Sequence, residues 1–125
     1  MQLRLELFVE APEISLDFYR RVLGFAVQGT ATAEYTILSN GDAVIAISSR
    51  SALSSDRPLR MKSDERVGHG VEIVLSVNDI EDAYRTAKAS SWPISVLARR
   101  PWGLPDFRLI EPDGHYVRMT SDHTS

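Results

Sequence analysis

Five side chains capable of polar chemistry fall at alternate positions of extended segments. Arg4 and Glu6 stand in "LRLELFV", Glu72 opens "EIVLSV", and Tyr116 and Arg118 stand in "HYVRMT". Period-two alternation puts Arg4 and Glu6 on the face opposite Leu5, Leu7 and Val9, and Tyr116 and Arg118 opposite Val117 and Met119. A guanidinium is permanently charged and offers donors but no lone pair, so it repels a metal ion and attracts a carboxylate, phosphate or enolate oxygen. A glutamate beside it is a general base or an ion-pair partner; pairing is the expectation, because a carboxylate in a narrow cleft is costly alone. Tyr116 adds a hydroxyl donor next to Arg118, and Phe8 an apolar wall.

The histidines carry less. His69 and Glu72 lie three apart on one strand and so point to opposite faces, which does not suit a shared metal. His115 has core parity just after a turn, and His123 lies in a polar tail. Cysteine is absent, which removes disulfides, thiolate metal sites and a cysteine nucleophile. The sequence shows no nucleophile and base pair, phosphate-cradling glycine loop or dinucleotide fingerprint.

The elements that hold these residues repeat once along the chain. "LRLELFV" reads as a half-buried strand. Pro12 suits a first helical turn, Ile14, Phe18 and Val22 recur at helical spacing, and Gly24 is a stop. "FAVQGTA", "AEYTILS" and "DAVIAISS" follow as strands, the last two joined by an Asn40-Gly41 hairpin turn. In the second half, "HGVEIVLSV" is a strand and "NDIEDAYRTAKAS" a helix capped by Asn78 or Asp79, with Ile80, Ala83, Tyr84 and Ala87 as its apolar stripe. "ISVLARR", "DFRLIEP" and "HYVRMTS" are three more strands, with Asp113-Gly114 as the last hairpin turn.

This order predicts an α+β fold of two βαβββ modules, each helix covering one sheet face and leaving the other face seeking a partner. Pairing the sheets face to face makes an incomplete barrel around a cleft lined by Arg4, Glu6, Glu72, Tyr116 and Arg118. The whole is a single domain, with module 1 at about 1–50, an exposed link at about 51–67 and module 2 at about 68–125. The link is rich in Ser and charge and reads as a solvated connection rather than a lid. Arg108 shares parity with Ile110 and either joins the basic lining or reaches solvent.

A chain of 125 residues buries a sizeable core without staples. Net charge is −3, with fourteen basic residues scattered among seventeen acids, so neither a nucleic-acid nor an anionic-membrane surface is expected. No apolar run approaches the length that crosses a bilayer and no basic start precedes an apolar core, so a cytoplasmic protein is expected.

The chain resembles the vicinal oxygen chelate superfamily, which includes glyoxalase I, bleomycin resistance proteins and extradiol dioxygenases. The resemblance rests on "LDFYRRVLGF" after the first strand, "EIVLSVNDIEDAYRTAK" opening the second half and "PWGLPDFRLIEPDGHYVRM" at the end, in that order and spacing. In metal-dependent members, four strand residues (His or Gln, Glu, His or Glu, Glu) hold one divalent ion. Matching the motifs puts Arg4, Ala46, Glu72 and Arg118 at those positions, and only Glu72 can ligate. No metal or other cofactor is therefore expected. Arg118 supplies a cation where relatives use a carboxylate to hold one. The resemblance further implies that the "RRPWGLPD" loop approaches the ligand, so that Trp102 stacks on a flat ring or else plugs the core. It also implies a homodimer.

The expected function is metal-independent binding of a small anionic or aromatic ligand in the inter-sheet cleft, by Arg4, Glu6, Glu72, Trp102, Arg108, Tyr116 and Arg118. The alternatives are a lyase, isomerase or dioxygenase acting on a small carbonyl or aromatic substrate, with Arg118 polarising an oxyanion and Glu6 or Glu72 as base, and a partner-binding subunit whose cleft is vestigial.

Overall fold

The computed structural model describes residues 1–54, 56–61, 67–99, 101 and 103–121. Strand β1 (Arg4–Val9) leads into helix α1 (Pro12–Arg21), followed by β2 (Ala26–Gln28), β3 (Tyr35–Asn40) and β4 (Ala43–Ser49). The second half repeats the pattern as β5 (Glu72–Val77), α2 (Ile80–Ala89), β6 (Ala98–Arg99), β7 (Pro105–Ile110) and β8 (Tyr116–Ser121). Sheet 1 has the order β1-β4-β3-β2 and sheet 2 the equivalent order β5-β8-β7-β6, without closure into a barrel. In each, the first strand lies parallel to the last, which is antiparallel to the strand before it. This is the α+β arrangement of two βαβββ modules that the sequence predicts.

Local chemistry explains the elements. Pro12 starts α1 with a φ already suited to a helix, and Gly24, at φ +74°, turns the chain out past its end. Asp79 is the cap of α2, its carboxylate accepting from the Asp82 amide at 3.0 Å. Gly41, at φ +58°, makes the β3–β4 turn. Two expectations change. Phe18 and, just past the end of α1, Val22 are buried as expected, but Ile14 is 53% exposed and Ser15 and Tyr19 are buried in its stead, because the two adjacent aromatic rings fix which stripe faces inward. The strand expected over "ISVLARR" shrinks to Ala98–Arg99 with a lone bridge from Ile94 to Leu109. Pro93 has no amide to donate, and the Ser95 hydroxyl takes the Arg108 amide at 2.7 Å, the place of a ladder carbonyl.

Both helices and one face of each sheet meet in one core. Leu7, Val9, Ile45 and Ile47 of sheet 1 join Ile73, Phe107, Leu109, Val117 and Met119 of sheet 2, with Phe18 and Tyr19 of α1 and Ile80 and Ala87 of α2. Phe18 packs edge-on against Trp92, just beyond α2, with ring centroids 4.9 Å apart; Tyr84 of α2 meets Phe107 at 5.3 Å. Such edge-to-face pairs each add roughly 0.5–1.5 kcal/mol beyond the area they bury.

A polar clasp ties the modules where β1 ends and the β7–β8 turn begins. The Glu111 carboxylate is buried and accepts from the Asp113 amide, the His115 amide and His115 Nδ1 at 2.8–2.9 Å, and from the Tyr19 hydroxyl at 3.3 Å. Asp113, its side chain 5% exposed, accepts from the Glu10 amide at 3.1 Å and pairs with Arg50 at the end of β4. The link between halves is not wholly solvated: Leu53 and Val67 are buried, and Gly68, at φ +74°, lies so close to His115 that a Cβ would stand 2.9 Å from its ring.

Candidate functional site

Because the helix-covered faces of both sheets share one core, the other two faces point outward. On sheet 1 the register sets Arg4, Glu6 and Phe8 beside Val44, Ala46 and Ser48, which in turn face Ser39, Ile37 and Tyr35. Arg4 Nε lies 2.7 Å from Glu6 Oε2, both side chains well exposed, and the Tyr35 hydroxyl donates to the same glutamate at 3.4 Å. Gln28 of β2, opposite Ile37, donates to the Ser39 hydroxyl at 2.6 Å, and Phe8, Val44, Ala46 and Ile37 make an apolar strip between these polar groups.

The open face of sheet 2 is polar. Glu72, Val74 and Ser76 of β5 lie beside Tyr116, Arg118 and Thr120 of β8, which are followed by Ile110, Arg108 and Asp106 of β7. Arg118 Nη2 donates to Glu72 Oε1 at 3.2 Å, so that glutamate is paired. Arg108 Nη1 donates to the Tyr116 hydroxyl at 3.2 Å with its guanidinium 6.0 Å from the ring centre, and its Nη2 stands 3.6 Å from Asp106. The hydrogen bond to Tyr116, more than the nearby carboxylates, raises the Arg108 pKa further. Arg108 thus shares the open face with Arg118. A hollow of about 430 Å³ opens over Val74, Ser76, Leu104, Asp106, Arg118 and Thr120. A second, of about 480 Å³, lies over Trp92, Ile94, Arg108, Ile110 and Tyr116.

Of the residues singled out from the sequence, the fold brings together Glu72 with Arg118, Arg108 with Tyr116, and Arg4 with Glu6. Arg4 bonds within its own strand rather than to Glu72. Trp102 lies outside the described residues. Asp106 and Tyr35 were missed, although alternation within "DFRLI" and "EYTIL" places them on the same faces as Arg108 and Ile37.

A family model described as the Glyoxalase/Bleomycin resistance protein/Dioxygenase superfamily matches residues 2–119. The chain belongs to this superfamily. No curated protein matches it by sequence. Among solved structures, it is similar to a bleomycin-binding protein complexed with bleomycin at 21% identity and TM-score 0.71, with 98% of this chain and 99% of the other covered. It is also similar to TnmS3, an antibiotic binding protein from Streptomyces sp. CB03234, at 14% identity and TM-score 0.69, covering 97% and 94%. Lactoylglutathione lyase from Agrobacterium tumefaciens gives 15% identity and TM-score 0.70, covering 97% and 92%. At these identities the likeness is one of fold.

The divalent-ion site of metal-dependent members of the superfamily does not fit these side chains. The positions that the motif match gives it hold Arg4, Ala46, Glu72 and Arg118, and the single carboxylate among them is already bonded to a guanidinium. Among the described residues no three His, Asp or Glu side chains gather as a metal set.

Proposed function

We propose that the protein binds a small anionic or aromatic molecule, without a metal, between the open face of a sheet 1 and the open face of a sheet 2. The observation that carries this reading is the pair of uncovered faces, one with an apolar strip of Phe8, Ile37, Val44 and Ala46 beside the Arg4–Glu6 pair, the other carrying Arg108, Arg118 and Tyr116. Each suits half of an amphiphilic ligand. Since both face outward from one core, the cleft is completed by a second copy, sheet 1 of one chain against sheet 2 of the other, in a homodimer. Leu3, Val71 and Val74, at the edge strands β1 and β5, are 76%, 58% and 42% exposed and give that copy an apolar place to rest. The names of the bleomycin-binding and antibiotic-binding relatives agree with a binding role. Glu6 and Glu72, the candidate bases of an enzymatic role, each pair with an arginine in this structure.

The test is isothermal titration of benzoate, naphthoate and phenyl phosphate, with and without EDTA, alongside light scattering. The expected result is saturable binding of at least one compound, unchanged by EDTA, to a particle of two 14.0 kDa chains. Binding abolished by EDTA, or no binding by any of the three, overturns the reading, and a monomer overturns the shared cleft.

A further inference from the structure

We infer that Arg108 and Arg118 form one oxyanion site whose ligand is a phosphate monoester, built within sheet 2 of a single chain. The inference rests on reading the open face of sheet 2 as a ligand surface, and it names the group recognised there. Arg108 and Arg118 are direct cross-strand partners in the β7–β8 register. Directly opposed side chains of an antiparallel pair have Cβ atoms only about 5 Å apart, and like charges so placed oppose folding. Sequence alternation alone would tolerate a neutral residue at either position.

The existing partners leave donors over. Among the described residues three buried side-chain polar atoms lack a hydrogen-bond partner: Ser15 Oγ, Arg108 Nε and Arg118 Nε. Two of the three belong to this pair. A buried donor without an acceptor is unfavourable, and since neither Nε has accessible surface, an anion satisfies them only as the guanidinium groups turn, the two side chains being 34% and 33% exposed. Among the described residues Arg118 makes one side-chain bond, to Glu72, and that carboxylate is 36% exposed, free to swing toward water. Asp106 stands 3.6 Å from Arg108, beyond good hydrogen-bond length, and has a further interaction of its own. Glu72 and Asp106 offset the two positive charges without saturating their N–H groups.

Geometry selects the anion. A planar carboxylate presents two oxygens and is satisfied by one guanidinium fork. Two guanidinium groups rising from adjacent strands present more donors than that, and a tetrahedral phosphate monoester, with two charges and three terminal oxygens, matches them. Tyr116 accepts from Arg108, which leaves its own hydroxyl proton to donate, and Ser76 opens onto the same hollow as Arg118. The hollows on either side of the pair give room for the rest of the molecule.

The test uses the full-length protein and titrates inorganic phosphate, phenyl phosphate and benzoate by calorimetry and amide chemical shift. Phenyl phosphate is expected to bind at least about tenfold more tightly than benzoate, and Arg108→Gln or Arg118→Gln is each expected to weaken it by about tenfold or more, while Arg21→Gln, on the exposed side of α1 where Arg21 pairs with Asp17, leaves it unchanged. Arg118→Lys, which keeps the charge and loses the fork, is expected to fall between. Inorganic phosphate is expected to shift the same amides more weakly, which separates recognition of the head group from that of the ring. Equal binding of benzoate and phenyl phosphate, or binding that survives both glutamine substitutions, overturns this inference and leaves the broader proposal standing; no binding by any aromatic anion removes both.

Discussion

Glu111 is a buried acid that the fold keeps charged. Burial alone raises its pKa, but the side-chain and backbone hydrogen bonds from His115, the charge of His115 and the Asp113 amide outweigh burial and hold the carboxyl below its ordinary value of 4.5. A folded-state pKa below the unfolded one means stability present above the unfolded value and lost as pH falls through the folded one. Asp113 runs the other way: burial raises its carboxyl despite the Glu10 amide and Arg50, so its contribution grows as pH falls. Glu111→Gln isolates the first effect. We expect the variant to lose about 1–3 kcal/mol at neutral pH by chemical denaturation, and the gap to narrow below the ordinary glutamate range. A gap that widens in acid would contradict the assignment. Much of the open-face lining was legible in single residues, because alternation alone gives the faces of Arg4, Glu6, Glu72, Tyr116 and Arg118. The clasp was not: Arg50 and Asp113 stand 63 residues apart, and nothing local in either segment names the other.

The elements that carry the site are set by short signals. Asp79 begins α2, which seats Ile80 and Ala87 in the core beneath β7 and β8, the strands that carry Arg108 and Arg118. Removing its cap by Asp79→Ala should cost about 1 kcal/mol, read as a lower thermal midpoint, with phenyl phosphate binding unaltered, since the cap touches no open-face residue. Loss of binding without loss of stability would show that α2 does more than support the sheet. Helices and hairpins were readable because caps, prolines and glycines mark them locally. The shortened β6 was not, since its apolar alternation was outweighed by a proline without an amide and by a serine hydroxyl occupying the ladder position. Ile14 misled for a related reason: helical spacing gives a stripe, and only packing of Phe18 and Tyr19 selects which stripe turns inward.

At the scale of the molecule, the repeat of modules was visible in the order of elements, but not that their helix-covered faces share one core. That choice depends on contacts such as Phe18 with Trp92 and Tyr19 with Glu111, which join distant segments. It has a consequence for the covalent link. Pro58 and Leu59 are exposed, and the attachments between the halves lie elsewhere, in the core and the clasp. A protease site engineered between them and cut in the folded protein should yield two fragments that co-elute with an unchanged circular dichroism spectrum, whereas fragments that part would show that the link itself holds the halves. The peptide connection then serves mainly to raise the effective concentration of each half for the other during folding, and split-chain complementation should reconstitute the ligand surface.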